Sequence, residues 1–527
     1  MHSGVFGLTE QTPPSGAAAG SRSQLLSNSK WNLVAFSVAL ASNFLLIPFV
    51  IHRIGLEGFG AAGLILAVLA PFLLVGTVLG QATLRELAHH VAVDGLAPGN
   101  RLFSAAILLC GASCALVVLA LFVFGGSAIR LFGASGSTNA DWQIEFAVAA
   151  LGWIAQQFTL LLQSAVAATQ RYASLAGIGI LASFANVIAV AGAVTLFPTA
   201  LGYLAGTSIG LLVALTIWWL LVRRGLPWLF PLRAPARADF DAIIHFGKWQ
   251  GASHFSGALG LQIDRYVLGT LAPLAVVGQY NVAMRLQEVV HMAVLKAGEV
   301  LFPHFSATSS DPVQHRASFF VTVSWVLNTV AACALAPLIP LSWDILALWV
   351  GPATANGAAP MLRTLAAAGI LGAGANVYFY HAMGTGQTAR LALLTVVHAV
   401  VTIALTVVLI KLYGPVAAGV GVLVASALRL AMVLPFSKHS FQATVSITTL
   451  IACTLPPLLT GLLVGEIWYR NGSPSASTWL TLFANYGLMF CTVAIASIAL
   501  TSVTARGRRM VNDSLSTARV TLLRKRG

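Results

Sequence analysis

Apolar residues follow one another in runs of about 20, the length that carries a helix across a hydrocarbon core about 30 Å thick. The runs are separated by short stretches rich in Gly, Pro, Ser, Asn and charge. They fall at 31–51, 61–83, 102–124, 142–165, 173–195, 201–222, 246–270, 277–300, 317–339, 360–383, 391–411, 415–436, 445–465 and 479–502. That pattern predicts fourteen transmembrane helices. The narrowest division is between the eleventh and twelfth, where only Tyr413, Gly414 and Pro415 intervene. Trp31, Trp142, Trp249 and Trp479 stand near the starts of runs, where an amphipathic ring sits in the membrane interface. Residues 1–30 are rich in Ser, Gly, Pro and Ala without periodicity, and are predicted to be a disordered N-terminal segment. The tripeptide Ala39–Leu40–Ala41 resembles a signal-peptide cleavage site, but the run continues through Val50 and Ile51 and predicts an uncleaved helix.

Composition agrees with this medium. Of 527 residues, 58% are hydrophobic and 8% charged, and the mean hydropathy is +0.86. Soluble chains are roughly 25% charged. The fold class is therefore an all-α polytopic membrane protein. Five cysteines, Cys110, Cys114, Cys333, Cys453 and Cys491, fall in apolar runs, with neither disulfide nor zinc spacing, so no metal is expected.

The formal charge of +14 reports topology and not a nucleic-acid partner, because the basic residues cluster at the ends of runs. With the N-terminus in the cytoplasm, twenty Lys and Arg lie inside, four lie outside, and the remaining five of the 29 lie within or at the edges of helices. Both termini are then cytoplasmic. The basic tail 503–527 reads as an anchor to anionic phospholipids.

An internal repeat divides the chain. "TALGYLAGTSIGLLVAL" (199–215) resembles "VAAGVGVLVASALRLAM" (416–432), with Gly202 on Gly419, and the same offset sets Gln170 on Gln387. A looser match places 53–64 beside 267–284. Each copy has six helices and so enters the membrane from the same side. The expected arrangement is an N-lobe (31–222), a cytoplasmic linker (223–245) and a C-lobe (246–436), the lobes related by a pseudo-two-fold axis along the membrane normal. Two C-terminal helices (437–502) fall outside the repeat. Substrate is expected at the lobe interface near the midplane.

The eighth run carries Arg285, Glu288, Lys296 and Glu299. At about 100° per residue these fall within about an 80° sector of one helix face, extended by His291. Four charges facing lipid would be untenable at roughly 2.5–3.5 kcal/mol each. Either they line a wet cavity, or Arg285 with Glu288 and Lys296 with Glu299 neutralise one another as i,i+3 pairs. In the seventh run Asp264 and Arg265 point about 100° apart. Arg265 can snorkel to the interface, whereas Asp264 needs a partner or a proton, as a coupling acid or a helix clamp.

The passage "FGKWQGASHFSGALGLQIDRYVLGTLAPLAVVGQYNVAMRLQEVV", with "LFPHFS" and "LALWVGPATANGAAPMLRTLAAAG", resembles the Wzx-type flippases of the multidrug/oligosaccharidyl-lipid/polysaccharide (MOP) exporter superfamily, relatives of the lipid II flippase. The resemblance implies translocation of an undecaprenyl-diphosphate-linked oligosaccharide from the cytoplasmic to the periplasmic leaflet of the bacterial inner membrane, by alternating access. It implies a polysaccharide polymerase and export machinery as partners. It gives the cations a use: Arg285, assisted by Lys296 and Arg265, would bind the diphosphate. Asp264, Glu288 and Glu299 are the ion-coupling candidates. Asn43, Gln81, Gln156, Gln157, Gln262, Asn376, Tyr378 and Tyr380 could meet sugar or glue helices together. A multidrug or cation antiporter and a lipid II flippase are the alternatives within the superfamily, and a scaffold for polysaccharide enzymes the non-transport one. No P-loop is present, no loop is long enough for a catalytic domain, and no cofactor is called for, so an enzyme is not expected.

The orientation has a direct test. In a cysteine-free background, cysteines at Ser135 and Ser475 should react with an impermeant maleimide in intact cells, and cysteines at Ala234 and Ser516 should not. The opposite pattern would invert the topology.

Overall fold

The computed structural model describes residues 22–92, 99–132, 142–169, 172–245, 264–298, 301, 305, 308, 311–385, 387–441, 445–472, 476–503, 507–508 and 511–512. Among these there is no strand. Hydrocarbon leaves helix as the way for an open chain to satisfy its own backbone.

The chain divides into two units, Met1–Phe255 and Ser256–Gly527. In the first unit the helices are α1 (Arg22–Leu69), α2 (Leu74–Ala92), α3 (Gly99–Phe132), α4 (Trp142–Ala168), α5 (Tyr172–Leu196) and α6 (Ala200–Gly225). α1 starts at Arg22, inside the segment predicted to be disordered, because no Gly or Pro interrupts the chain between there and Pro48. Residues 1–21 lie outside the described residues. Gly55 (φ 73°) breaks α1, a left-handed conformation that glycine adopts without strain. Past α6, the predicted linker is tied to the start of α3. Asn100 donates to Pro231 O at 3.4 Å, and Arg101 lies 3.8 Å from Asp239.

In the second unit a helical stretch at 264–271 is followed by α7 (Leu274–Gly298), α8 (Val313–Leu335), α9 (Ser342–Val350), α10 (Pro352–Ala373), α11 (Asn376–Gly384), α12 (Thr388–Tyr413), α13 (Ala418–Ser440), α14 (Ile447–Arg470) and α15 (Trp479–Ser502). α12 stops at Tyr413, Gly414 takes φ 83°, and Pro415 opens the next turn, so the three-residue division is real. Trp142 and Trp479 are the first residues of α4 and α15.

The two units repeat one packing scheme. α6 packs on α4 and α5, and α2 on α3 and α4; correspondingly α13 packs on α10 and α12, and α7 on α8 and α10. α14 and α15 are added to the second unit against α8, where Trp325 Nε1 donates to Thr501 Oγ1 at 2.9 Å.

Among the described residues ten helices are long and apolar enough to cross a membrane, or eleven if α10 and α11, bent by 41°, form one broken span. The sequence predicts fourteen, and the difference lies at three places. Ser37–Leu87 counts once although it takes in most of the first predicted span and all of the second. A straight helix of its 51 residues would run about 77 Å at 1.5 Å per residue. The predicted seventh span falls mostly outside the described residues. α7 has the length, but Arg285, Glu288 and Lys296 lower its hydropathy.

Helix contacts depend on small residues. A Cβ on Gly206 of α6 would lie 2.6 Å from Val190 Cα of α5, whereas one on Gly192 would meet nothing within 4 Å. Gly206→Ala should therefore destabilise by about 1–3 kcal/mol, and Gly192→Ala should be neutral. Melting followed by fluorescence size-exclusion chromatography checks this, and equal melting of the two variants would refute the close approach.

Candidate functional site

α7 buries one face and exposes the other. Val277, Tyr280, Ala283, Gln287 and Val294 are buried, whereas Arg285 and Lys296 are exposed. Glycines on α10 allow polar side chains of α7 to lie flat between the helices. A Cβ on Gly369 would sit 2.6 Å from Gln287 Nε2, and Gly357 is covered in the same way by the Gln279 amide. At the far end, the Tyr380 hydroxyl donates to Leu295 O at 2.8 Å.

The charges form a connected group. Asp264, 3% exposed, accepts from the Arg265 backbone N–H at 2.9 Å and from the Tyr280 hydroxyl. The Arg265 guanidinium donates through Nη2 to Glu288 Oε1 at 2.9 Å. The other oxygen of Glu288 lies 3.6 Å from Arg285 Nη1. One carboxylate is thus shared by two guanidiniums. The side chains differ in exposure, 16% for Arg265 against 45% for Arg285, so Arg265 is the fixed partner and Arg285 the accessible one.

Of the two readings of the charged face, the structure shows the pairing of Arg285 with Glu288. The two make an i,i+3 contact, and the Arg285 side chain remains exposed. Arg265 does not snorkel to the interface; it turns to Glu288, because an ionised acid on the neighbouring helix is a stronger partner than a distant headgroup. Lys296 is exposed on α7, about 16 Å along the axis from Arg285 at 1.5 Å per residue. Glu299 lies outside the described residues.

Two further cations within helices were passed over in the sequence. Arg429 of α13 donates through Nη2 to Gly372 O at 3.0 Å, beside the bend between α10 and α11. The guanidinium of Arg363 stands 3.9 Å over the Tyr469 ring. Both were visible as charges inside apolar runs, the usual mark of a residue with a specific task. With Arg265, Arg285 and Lys296 they complete the five cations left over by the topology count, and all five belong to the second unit.

Among the sugar candidates, Gln157 accepts from Gly76 N at 2.6 Å and Tyr380 from α11 holds α7, so both act as helix glue. Gln156 instead lines a cavity of about 380 Å³ in the first unit, together with Gln163, which the sequence reading missed although it shares a helical face with Gln156. Asn43 and Gln262 fall where no side chain is described.

Over residues 25–309 the chain matches the family model described as polysaccharide biosynthesis protein. Its fold is similar to that of the lipid II flippase MurJ in an inward closed conformation, with a TM-score of 0.68 and 10% identity over 91% of this chain and 98% of that one. It is also similar to an inward-facing multidrug resistance MATE family transporter of the MOP superfamily, with a TM-score of 0.65 and 15% identity over 78% and 98% of the two chains. A MOP superfamily transporter from Pyrococcus furiosus gives 0.56 and 14% over 80% and 96%. At these identities the likeness is one of fold. No curated protein matches the sequence.

The Asp264–Tyr280 contact should be structural in its first effect. Tyr280→Phe leaves a buried carboxylate short of a donor and should cost about 1–3 kcal/mol. Adding Asp264→Asn should cost less than the sum of the single changes, since the two residues share one interaction. Thermal unfolding of the four proteins measures the coupling, and strict additivity would show that the contact contributes nothing.

Proposed function

The chain belongs to the polysaccharide biosynthesis protein family, and from that premise we propose that it flips a polyprenyl-diphosphate-linked oligosaccharide from the cytoplasmic to the periplasmic leaflet. Its helical, multi-span architecture and its MurJ-like and MATE-like fold support a MOP-superfamily transporter. The observation that carries the finer reading is the shared carboxylate of Glu288.

Arg265, Arg285 and Lys296 outnumber the carboxylates of Asp264 and Glu288, which leaves a net charge of +1 among these described residues. Such a surface repels a lipophilic cation and attracts a diphosphate, which argues against a cation antiporter. Arg285 offers a planar fork that grips two phosphate oxygens at once. Its contact with Glu288 is the longer of the two, at 3.6 Å against 2.9 Å, so a diphosphate displaces the acid from Arg285 while Arg265 retains it. Lys296 serves as the entry site and Arg285 as the central one. Asp264, buried beneath Arg265, is the coupling acid: gain or loss of a proton there changes the hold on Tyr280 and the start of α7. The protein works in the bacterial inner membrane with both termini cytoplasmic, handing its glycan to a polymerase and export machinery.

Arg285→Ala should lower glycan export at least tenfold in a flippase-deleted strain, the scale of one lost charge-assisted hydrogen bond of about 1.5–3 kcal/mol. Arg285→Lys should retain part of the function, because charge survives and the fork does not. Asp264→Asn should slow net transport while native mass spectrometry still finds a polyprenyl-diphosphate glycolipid bound. Normal export by well-expressed Arg285→Ala would reduce the charged group to helix packing.

A further inference from the structure

We propose that the cavity among α1, α4, α5 and α6 of the first unit receives an uncharged, hydroxyl-rich group, the sugar portion of the transported lipid. This rests on the function proposed above. The volume of about 380 Å³ lies in the range of about 300–1,000 Å³ that small-molecule sites occupy. Small residues create the space: Ala39, Ala182 and Ala214 line it with Gly179, and a Cβ on Gly179 would meet nothing within 4 Å.

The polar lining is of one chemical kind. Gln156, Thr159 and Gln163 stand at i, i+3 and i+7 of α4 and present one face. Ser42 of α1 and Ser183 of α5 add hydroxyls. Thr159 and Ser183 already donate to Ala155 O and Gly179 O, both at 2.8 Å, which leaves their oxygens as acceptors. The amides of Gln156 and Gln163 make no hydrogen bond to the described protein, and each offers donors and an acceptor side by side. That is the complement of neighbouring hydroxyls on a sugar ring. The buried Trp218 ring closes one wall and gives the apolar C–H face of such a ring a surface to lie on. Amides at membrane depth need partners, and a sugar supplies them with a geometry that water does not enforce.

Among the described residues no Asp, Glu, Lys or Arg lines the cavity. A cationic or anionic ligand would find no counter-charge among them, whereas Arg265, Arg285, Lys296, Arg363 and Arg429, the cations inside predicted spans, belong to the second unit.

The test uses the full-length protein in nanodiscs and two probes: native polyprenyl-diphosphate glycolipid extracted from producing cells, and synthetic undecaprenyl diphosphate without sugar. Wild type should bind the glycolipid more tightly. Gln156→Leu and Gln163→Leu should each weaken glycolipid binding about tenfold, the effect of one or two lost hydrogen bonds, and leave the sugar-free lipid unaffected, which also reports that the variants are folded. Arg285→Ala should weaken both lipids. Equal wild-type affinity for the two lipids, leucine variants that keep the full sugar preference, or leucine variants that lose both lipids alike would each remove the sugar from this cavity while the flippase reading stands. Binding of neither lipid by wild type would sink that reading, and the sugar assignment with it.

Discussion

Hydrocarbon offers no hydrogen-bond partner, and everything in this molecule follows from that constraint. It makes the described chain helical, and it governs how the helices end and bend. Gly55 and Gly414 take positive φ where the chain must leave one helix for the next. Where α10 gives way to α11, the carbonyl of Gly372 is met by Arg429. Hydroxyls in mid-span return to their own helix, as Thr402 does to His398 O at 2.7 Å. Association between helices cannot draw on the hydrophobic effect in lipid, so it rests on close packing at small residues such as Gly206 and Gly369.

The same constraint sorts the side chains. A charge in the bilayer survives when it is paired or wet, and in the second unit Arg265 and Arg285 are paired with Glu288. Asp264 is buried and fully engaged, Arg265 is half-way, and Arg285 reaches outward. The first unit solves a different problem with neutral groups, where glutamines and hydroxyls surround a cavity. Two units built on one packing scheme have diverged in chemistry.

Much of the fold was legible because run length and turn residues are local. The three-residue division at Gly414 and the tryptophans at the starts of α4 and α15 needed no knowledge of neighbours. Gly202 and Gly419 stand at like places on α6 and α13, each packed on two helices of its own unit. The site was legible in its members and not in its bonds. The pairing of Arg265 with Glu288 joins residues 23 apart on different helices, and the Asp264–Tyr280 contact joins residues 16 apart. Periodicity orders residues on one helix and is silent about the next. It also could not tell that Gln157 faces a backbone while Gln156 faces a cavity, since adjacent residues of α4 differ only in which neighbour they meet. Polar composition before Trp31 reads as disorder, yet α1 starts at Arg22 because no Gly or Pro stops a helix there.

On the function proposed here, the shared carboxylate of Glu288 would make α7 an ion exchanger. An incoming phosphate would not fill an empty socket; it would take the place of the carboxylate already beside Arg285. The field along the helix therefore changes less on loading than it would at a bare arginine, and the departing ligand leaves behind a group ready to reclaim the vacancy. Release is then as local an event as capture, and a strongly charged headgroup can let go of the protein without a flood of water to prise it free.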